Sequence, residues 1–157
     1  MRIIENTLEE SIDDVLALPL FCHLATISQE GDPRVSPLWY HWEDEALWII
    51  ADMEKTYTSR VQRHPATAVA IMDFDARDAR VRHIGMRGTS TLEPLDDGLV
   101  KRKLTRYLGP DEEAWDPMFH GLDPDRWRFI KFEPATVVAR NQSYRPSLDV
   151  DARGLDN

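Results

Sequence analysis

The chain has few of the features that mark secreted or membrane-bound proteins. Only one of its 157 residues, Cys22, is a cysteine, so no internal disulfide can form and a reducing cytoplasm is the expected location. The N-terminus lacks the apolar segment of a signal peptide. No apolar run approaches the roughly 20 residues that a membrane-spanning helix needs. We therefore expect no membrane partner.

The sequence also lacks the motifs of common catalytic and metal sites. Its five histidines show no HxxxH or HExxH spacing, and a lone cysteine offers no thiolate cluster, so no metal site is predicted. There is no GxSxG nucleophile elbow, no glycine-rich dinucleotide motif and no P-loop. No side chain is assigned as a catalytic acid, base or nucleophile.

Positive charge is scarce, with 19 lysines and arginines against 28 aspartates and glutamates, and the net charge is −9. A nucleic-acid partner is not expected, because binding to phosphate backbones needs a basic surface. The hydrophobic content of 42% indicates a globular protein, and the length indicates one domain. We predict a domain over residues 1–140 and a C-terminal tail over residues 141–157.

Hydrophobic periodicity predicts a mainly β chain of the α+β class. A capping box of Thr7 and Glu10 predicts a first helix that ends near Leu18. The remaining helices are predicted over residues 56–63, 95–108 and part of 111–119. Strands are predicted over residues 21–28, 34–42, 46–51, 66–72, 81–92, 127–132 and 136–140, with a loop over 74–79. The short connections favour an antiparallel barrel of six to seven strands with flanking helices.

Glycine and proline refine this pattern. Gly31 is predicted to take a positive φ in a turn. Pro37 interrupts the second strand and predicts a sheet edge or a bulge there. Gly85 and Gly88 indicate either close approach of a ligand to the backbone or bulges in a long strand. The basic run that includes Lys103 is predicted to lie on the solvated face of its helix.

Residues 55–64 combine positive charge with hydroxyl groups in an otherwise acidic protein. Lys55 and Arg60 are the cations nearest to Thr56, at the predicted start of a helix. Cations, hydroxyl donors and a helix N-terminus together suit an anion such as phosphate. The alternative is an ordinary solvated helix face. Trp39, in the predicted strand over residues 34–42, is one of several aromatics that could flank a flat ring, fill the barrel core or line a dimer interface.

An ordered set of short motifs resembles the pyridoxamine 5'-phosphate oxidase-like family of FMN-binding split barrels. The motifs begin with a Leu-Ala-Thr strand and end with a basic helix before a proline. They are Leu24-Ala25-Thr26, Gly31-Asp32-Pro33, Pro37-Leu38-Trp39, Glu43-Asp44-Glu45, residues 47–51, residues 60–65 and Met86-Arg87-Gly88-Thr89.

The resemblance implies a split barrel that forms a homodimer, with a cofactor at the subunit interface. It implies FMN, with the deazaflavin F420 as the alternative, and hydride transfer between that cofactor and a small-molecule substrate. The predicted contacts to the cofactor phosphate are Lys55, Thr56 and Arg60. Those around the ring are Trp39, Ile49, Ile50 and Ala51.

The chain departs from the family pattern at two places. The family lysine of the basic helix is displaced by two positions to Lys55, and Arg60 stands where asparagine is common. The Arg-Leu-x-Pro signature of true pyridoxamine phosphate oxidases is absent from residues 140–146. A true pyridoxamine phosphate oxidase is therefore not predicted. An F420-dependent reductase, a non-catalytic carrier or sensor of FMN, F420 or haem, and a structural dimer with a decayed site remain alternatives.

Overall fold

The computed structural model describes residues 1–144. Its regular structure consists of three α-helices, eight strands and two short 3-10 helices, Glu112–Ala114 and Pro117–Phe119, which stand where a helix was predicted within residues 111–119. The α-helices are α1 (Ile12–Leu16), α2 (Thr56–Arg63) and α3 (Asp97–Leu108). The strands are β1 (Arg2–Asn6), β2 (Phe21–Ile27), β3 (Pro33–Trp39), β4 (His41–Glu43), β5 (Ala46–Asp52), β6 (Ala66–Asp75), β7 (Arg80–Glu93) and β8 (Trp127–Asn141).

The strands form one curled, largely antiparallel sheet in the order β3-β2-β6-β7-β8-β5-β4. Strand β8 pairs with β7 along one edge. Along its other edge it pairs first with β5, through residues 127–132, and then with β1, through residues 136–139. The split barrel with flanking helices is therefore confirmed, with one strand more than predicted.

The inward face of this sheet forms the hydrophobic core. Alternate residues of β2 and β5, such as Leu24 and Ile49, are fully buried there, and α1 adds Val15 and Leu16. Each such side chain contributes about 1.5–3 kcal/mol of burial free energy. The core therefore fixes which residues of each strand face inward and which face outward.

The N-terminal region differs from the prediction. Helix α1 begins after Ser11, whose hydroxyl accepts a hydrogen bond from the Asp14 N–H at 3.0 Å. Thr7 instead extends the pairing of β1, because its N–H donates to the Ala139 carbonyl at 3.0 Å. The strand β1 was not predicted. It has only five residues, and its two isoleucines, Ile3 and Ile4, are adjacent in the sequence and exposed in the structure, so no alternating pattern marks it.

Three strand boundaries also differ from the prediction. The predicted strand over residues 34–42 is divided into β3 and β4, because the Tyr40 N–H between them donates to the Tyr107 hydroxyl rather than to a neighbouring strand. The last two predicted strands form a single strand, β8. This strand continues through Pro134, where a bulge leaves Ala135 unpaired. Strand β6 continues into the predicted loop as far as Asp75. Its Asp73 carboxylate holds the β6–β7 hairpin by accepting hydrogen bonds from Arg80, at 2.9 Å, and Arg82, at 2.7 Å.

The turn predictions agree with the structure. Gly31 has a φ of 88° in the turn between β2 and β3. Pro37 lies on β3, which is the edge strand at one end of the sheet. Asp44 and Glu45 join β4 to β5 with φ values of 53° and 56°, as two-residue hairpin turns require.

The predicted tail over residues 141–157 lies mostly outside the described residues. Asn141 is the last residue of β8. The Gln142 and Tyr144 N–H groups donate to the carbonyls of Val81 and Ala79, so residues 141–144 continue the pairing with β7. None of the helices formed by residues 1–144 is long and apolar enough to cross a membrane.

Candidate functional site

A cluster of cationic and hydroxyl groups lies at the start of α2. Arg60 Nε donates to Thr26 Oγ1 at 2.7 Å, and Arg60 Nη1 donates to Thr56 Oγ1 at 2.8 Å. Lys55 is the N-cap residue, and its exposed side chain makes no capping hydrogen bond. The three residues predicted to bind phosphate are therefore brought together, with Thr26 as an addition that the sequence did not indicate.

The loop before α2 is held by Asp52, the last residue of β5. Arg126 Nη2 lies 2.8 Å from Asp52 Oδ2, and this hydrogen-bonded guanidinium is the main reason that the pKa of Asp52 lies below its usual value. The other carboxylate oxygen accepts from the Glu54 N–H at 2.9 Å. The Thr58 hydroxyl donates to the Lys55 carbonyl. These contacts fix the position of Lys55 relative to the sheet.

A largely apolar cavity of about 280 Å³ opens beside the ends of β3 and β5. Trp39 of β3 and Ile50 of β5, both predicted as ring contacts, line it together. Trp39 stacks between Tyr107, at a centroid distance of 4.6 Å, and Phe119, at 5.8 Å. We call this space the aromatic pocket. Its further lining residues are Phe21, Pro37, Leu38, Lys103, Leu104, Met118, Phe119, Leu122 and Trp127.

The other two predicted ring contacts lie elsewhere. Ile49 and Ala51 are fully buried in the core of the barrel, because successive side chains of a strand point to opposite faces of the sheet. Of the three neighbouring residues, only Ile50 presents its side chain to the aromatic pocket. Any contact of Ile49 or Ala51 with a ligand in this pocket is restricted to backbone atoms.

Lys103 is a lining residue that the sequence analysis placed wrongly. It is 3% exposed, and its Nζ lies 5.8 Å from the Trp39 ring centroid and 5.6 Å from that of Tyr107. Burial lowers the pKa of Lys103 to about 8. The spacing of Leu99, Lys103 and Tyr107 at intervals of four was the available signal, since it places the lysine on the buried stripe of α3.

Lys101 and Arg102 are solvated, as predicted, whereas Arg106, also predicted to be solvated, is half-buried and donates from Nη2 to the Leu16 carbonyl at 2.9 Å. Lys101 pairs with Glu112, and Arg102 binds both carboxylate oxygens of Glu43, at 2.8 and 2.6 Å. Tyr107 anchors the end of the helix, because its hydroxyl accepts from the Tyr40 N–H at 3.1 Å and donates to the Leu20 carbonyl at 2.7 Å. Contacts made by residues on either side of Lys103 in the sequence thus hold its position over the aromatic pocket.

The cation cluster and the aromatic pocket each include one residue of β2. Thr26 in the cluster and Phe21 in the pocket are five residues apart on this strand, about 17 Å, and their side chains point to opposite faces of the sheet, Thr26 inward and Phe21 outward. Ile50 and Lys55 are also separated by five residues along the chain. The candidate site therefore consists of two separate parts, a cation cluster suited to an anion and a largely apolar pocket suited to a flat ring.

His41 and Glu43 form a separate polar contact near α3. His41 Nε2 lies 3.0 Å from Glu43 Oε2, and burial is the main cause of a lowered His41 pKa. His41 is not among the residues that line the aromatic pocket. Within residues 1–144, no group of three histidine, cysteine, aspartate or glutamate side chains is arranged to hold a metal ion.

The outward face of β2, β3 and β6 carries large apolar side chains in solvent. We call it the outer face. It includes Phe21, Ile27, Val35, Met72 and Phe74, which are 36–62% exposed. Between these strands and β7, β8 and β1 lies a depression of about 600 Å³, lined by small residues such as Ala68, Ala70 and Gly85 and also by Arg87 and Arg140. Contiguous exposed apolar surface of this kind marks interaction sites.

The sequence and fold match known proteins over most of their length. The family model of pyridoxamine 5'-phosphate oxidase matches residues 8–139. An F420 reductase of known structure is 26% identical, with a TM-score of 0.64 over 83% of this chain and 98% of that chain. No curated protein matches the sequence.

Two further solved structures share the fold at lower identity. A FAD-binding protein from Mesorhizobium loti is 18% identical, with a TM-score of 0.59 over 82% of this chain and 89% of that chain. The haem storage protein of Vibrio cholerae is 13% identical, with a TM-score of 0.62 over 85% and 91% of the two chains. At these identities the likeness concerns the fold alone.

Proposed function

Because the chain belongs to the pyridoxamine 5'-phosphate oxidase family, we propose that it binds FMN and serves as an oxidoreductase for a small organic substrate. The observation that carries the proposal is that this domain has both a cation cluster at the start of α2 and an aromatic pocket beside the ends of β3 and β5. A phosphorylated flavin has the matching chemistry, with an anionic end and a flat tricyclic end. When bound, it supplies hydride transfer, and the protein supplies binding and orientation.

The phosphate would be held by groups at the start of α2. Lys55 offers an exposed ammonium, and Arg60 offers a guanidinium that Thr26 and Thr56 already orient. The first N–H groups of a helix attract anions. Hydrogen bonds between charged groups are roughly twice as strong as neutral ones, so these two cations are expected to contribute most to the affinity.

The flavin ring would lie across the opening of the aromatic pocket, in contact with Trp39 and Ile50, and would leave the interior of the pocket to the substrate. The apolar surfaces of these two residues exclude water from the reacting atoms, which strengthens the electrostatic interactions made there. No side chain is assigned a proton-transfer role. Since the Arg-Leu-x-Pro signature is absent, oxidation of pyridoxamine phosphate is not the proposed reaction.

A second candidate is an F420-dependent reductase, which the 26% identity to an F420 reductase favours. Titration of FMN, F420 and haem into the purified apoprotein separates the candidates. Tightest binding of FMN supports the first proposal, and tightest binding of F420 supports the second. Binding of haem alone would contradict both. Turnover with NAD(P)H or reduced F420 then distinguishes an enzyme from a carrier.

The double variant Lys55→Ala/Arg60→Ala is expected to weaken FMN binding by more than about 2 kcal/mol, or roughly 30-fold. The reason is the loss of two charge-assisted contacts to phosphate. Quenching of flavin fluorescence measures the affinity. The matched control is Arg77→Ala/Lys101→Ala, which removes the same charge from exposed positions outside the cluster. Equal affinities of wild type and the cluster variant would remove Lys55 and Arg60 from the site.

We further propose that two copies of the chain associate through the outer face. A stable interface buries about 800 Å² on each partner, and the exposed apolar side chains of β2, β3 and β6 would form part of that area. The cofactor would then lie close to the interface, because Phe21 belongs both to the outer face and to the aromatic pocket.

Light scattering at micromolar concentration is expected to give the mass of a dimer. Ala70→Asp is expected to weaken dimerisation at least tenfold, because it places a charge in the middle of the outer face, where it would be buried. Ala114→Asp introduces the same side chain at an exposed position away from the sheet and should leave the dimer intact. A monomeric wild-type protein would rule out this interface.

A further inference from the structure

The aromatic pocket contains one buried charge, the Lys103 ammonium, and no lining residue of opposite charge in the part of the chain that the structure describes. Lys103 Nζ lies among aromatic and aliphatic side chains, with the rings of Trp39 and Tyr107 at 5.8 and 5.6 Å. Among residues 1–144, no carboxylate pairs with this ammonium and no oxygen accepts a hydrogen bond from it. Cation–π contact with two rings offsets only part of the cost of burying the charge.

An anionic ligand would supply the missing partner. Lys103 is the only charged residue among the described residues that line the pocket, and the remaining lining is apolar and rich in aromatics. The ligand should therefore have one negative group and an apolar, flat body. A cavity of about 280 Å³ is larger than the roughly 150 Å³ in which benzene binds, so one or two fused rings would fit.

We propose that the aromatic pocket binds an aromatic carboxylate, with its ring beside Trp39 and its carboxylate on Lys103 Nζ. An aromatic carboxylate would then be the substrate class of the proposed oxidoreductase. Only its role as a substrate rests on that proposed function. The binding site itself rests on Lys103 and the pocket alone. Lys103 acts as a specificity residue, because its ammonium favours the carboxylate over an uncharged ligand of the same shape.

The titratable groups next to Lys103 do not change charge in the pH range in which Lys103 does, so the pH dependence of ligand binding can be assigned to Lys103. Burial raises the pKa of the Tyr107 hydroxyl and of the Cys22 thiol to about 12 each, so both stay neutral below pH 10. Lys103 is then the group that changes charge in the pocket between pH 6.5 and 9.5. Affinity for the carboxylate should fall as the ammonium loses its proton, while affinity for a neutral analogue should not.

The test compares 2-naphthoate with its neutral isostere 2-naphthamide by isothermal titration calorimetry of the full chain. At pH 6.5, wild type is expected to bind the carboxylate at least tenfold more tightly than the amide. Raising the pH to 9.5 should remove most of this preference. Lys103→Met should abolish the preference, and Lys101→Met, on the solvated side of the same helix, should retain it.

Several results would overturn the proposal. Equal affinity of wild type for the two compounds would do so, as would a preference that persists in Lys103→Met or at pH 9.5. A parallel titration with FMN keeps the two proposals apart. Failure of FMN to bind, with the naphthoate preference intact, would reject the flavin function and leave the anion site standing. Displacement of naphthoate by FMN would assign Lys103 to the cofactor and reject the substrate site.

Discussion

Replacing Gly88 with alanine is expected to lower the free energy of unfolding by about 3 kcal/mol or more. A Cβ atom at Gly88 would lie 2.0 Å from the carbonyl oxygen of Glu133 and 2.9 Å from the Cα of Pro134. Both atoms belong to the backbone of β8 at its bulge, so no side-chain rotation relieves the overlap. Urea denaturation followed by tryptophan fluorescence measures the loss.

Gly98→Ala is the matched control for this experiment. The nearest atoms to a Cβ at Gly98 belong to the side chains of Arg102, at 3.2 Å, and Asp96, at 3.3 Å, and these can move. Alanine is also favoured over glycine inside a helix by up to about 1 kcal/mol. An unchanged or slightly raised stability is therefore expected. If the two variants lost similar stability, the close approach of β7 and β8 would not be the cause.

Lys103→Met is expected to raise the free energy of unfolding by about 3 kcal/mol at pH 7. The ordinary lysine pKa of 10.5 falls to about 8 in the folded protein, and each pKa unit corresponds to about 1.36 kcal/mol. The folded state therefore carries a penalty for the buried ammonium that the unfolded chain does not carry. Methionine has nearly the same length and removes the charge.

The stability gain should depend on pH in a defined direction. Below pH 8, lysine is protonated in both states and the full penalty applies. Between about pH 8 and 10.5 the unfolded chain binds more protons than the folded one, so the stability of wild type rises with pH. The difference from Lys103→Met should therefore shrink over this window and vanish above it.

Comparing the two proteins isolates the contribution of Lys103. Tyr107 and Cys22, whose folded pKa values are raised to about 12, favour unfolding at high pH in both proteins, and this common effect cancels. Unfolding curves at pH 7, 9 and 11 suffice for the measurement. A difference that stays constant across these values would show that the ammonium is not penalised in the folded state.

Much of the fold was predictable because its signals are local. The glycine turn at Gly31, the acidic hairpin at Asp44 and the edge proline Pro37 each fix a connection through backbone chemistry alone. The strand β1 was missed because a parallel pairing with β8, more than a hundred residues away, leaves no local pattern. The continuity of β8 was missed because a proline normally ends a strand, whereas here a bulge accommodates it.

The candidate site was predictable in part for the same reason. The cluster of Lys55, Thr56 and Arg60 is local in sequence, and its members lie together. The aromatic pocket depends on α3 and on the segment around Phe119 folding over the ends of β3 and β5, which no local pattern specifies. Lys103 shows the difficulty most clearly, since a lysine in a basic run is normally solvated and its burial follows from tertiary packing.

The continuous strand β8 has a structural consequence. One end carries Trp127 in the aromatic pocket, and the other carries Val138 beside the depression of the outer face. Between these two ends, Gly88 of β7 packs closely against Glu133, and the strand that pairs with β8 on its other edge changes from β5 to β1. One continuous backbone therefore borders both surfaces, so a change in the register of β8 would alter the aromatic pocket and the outer face together.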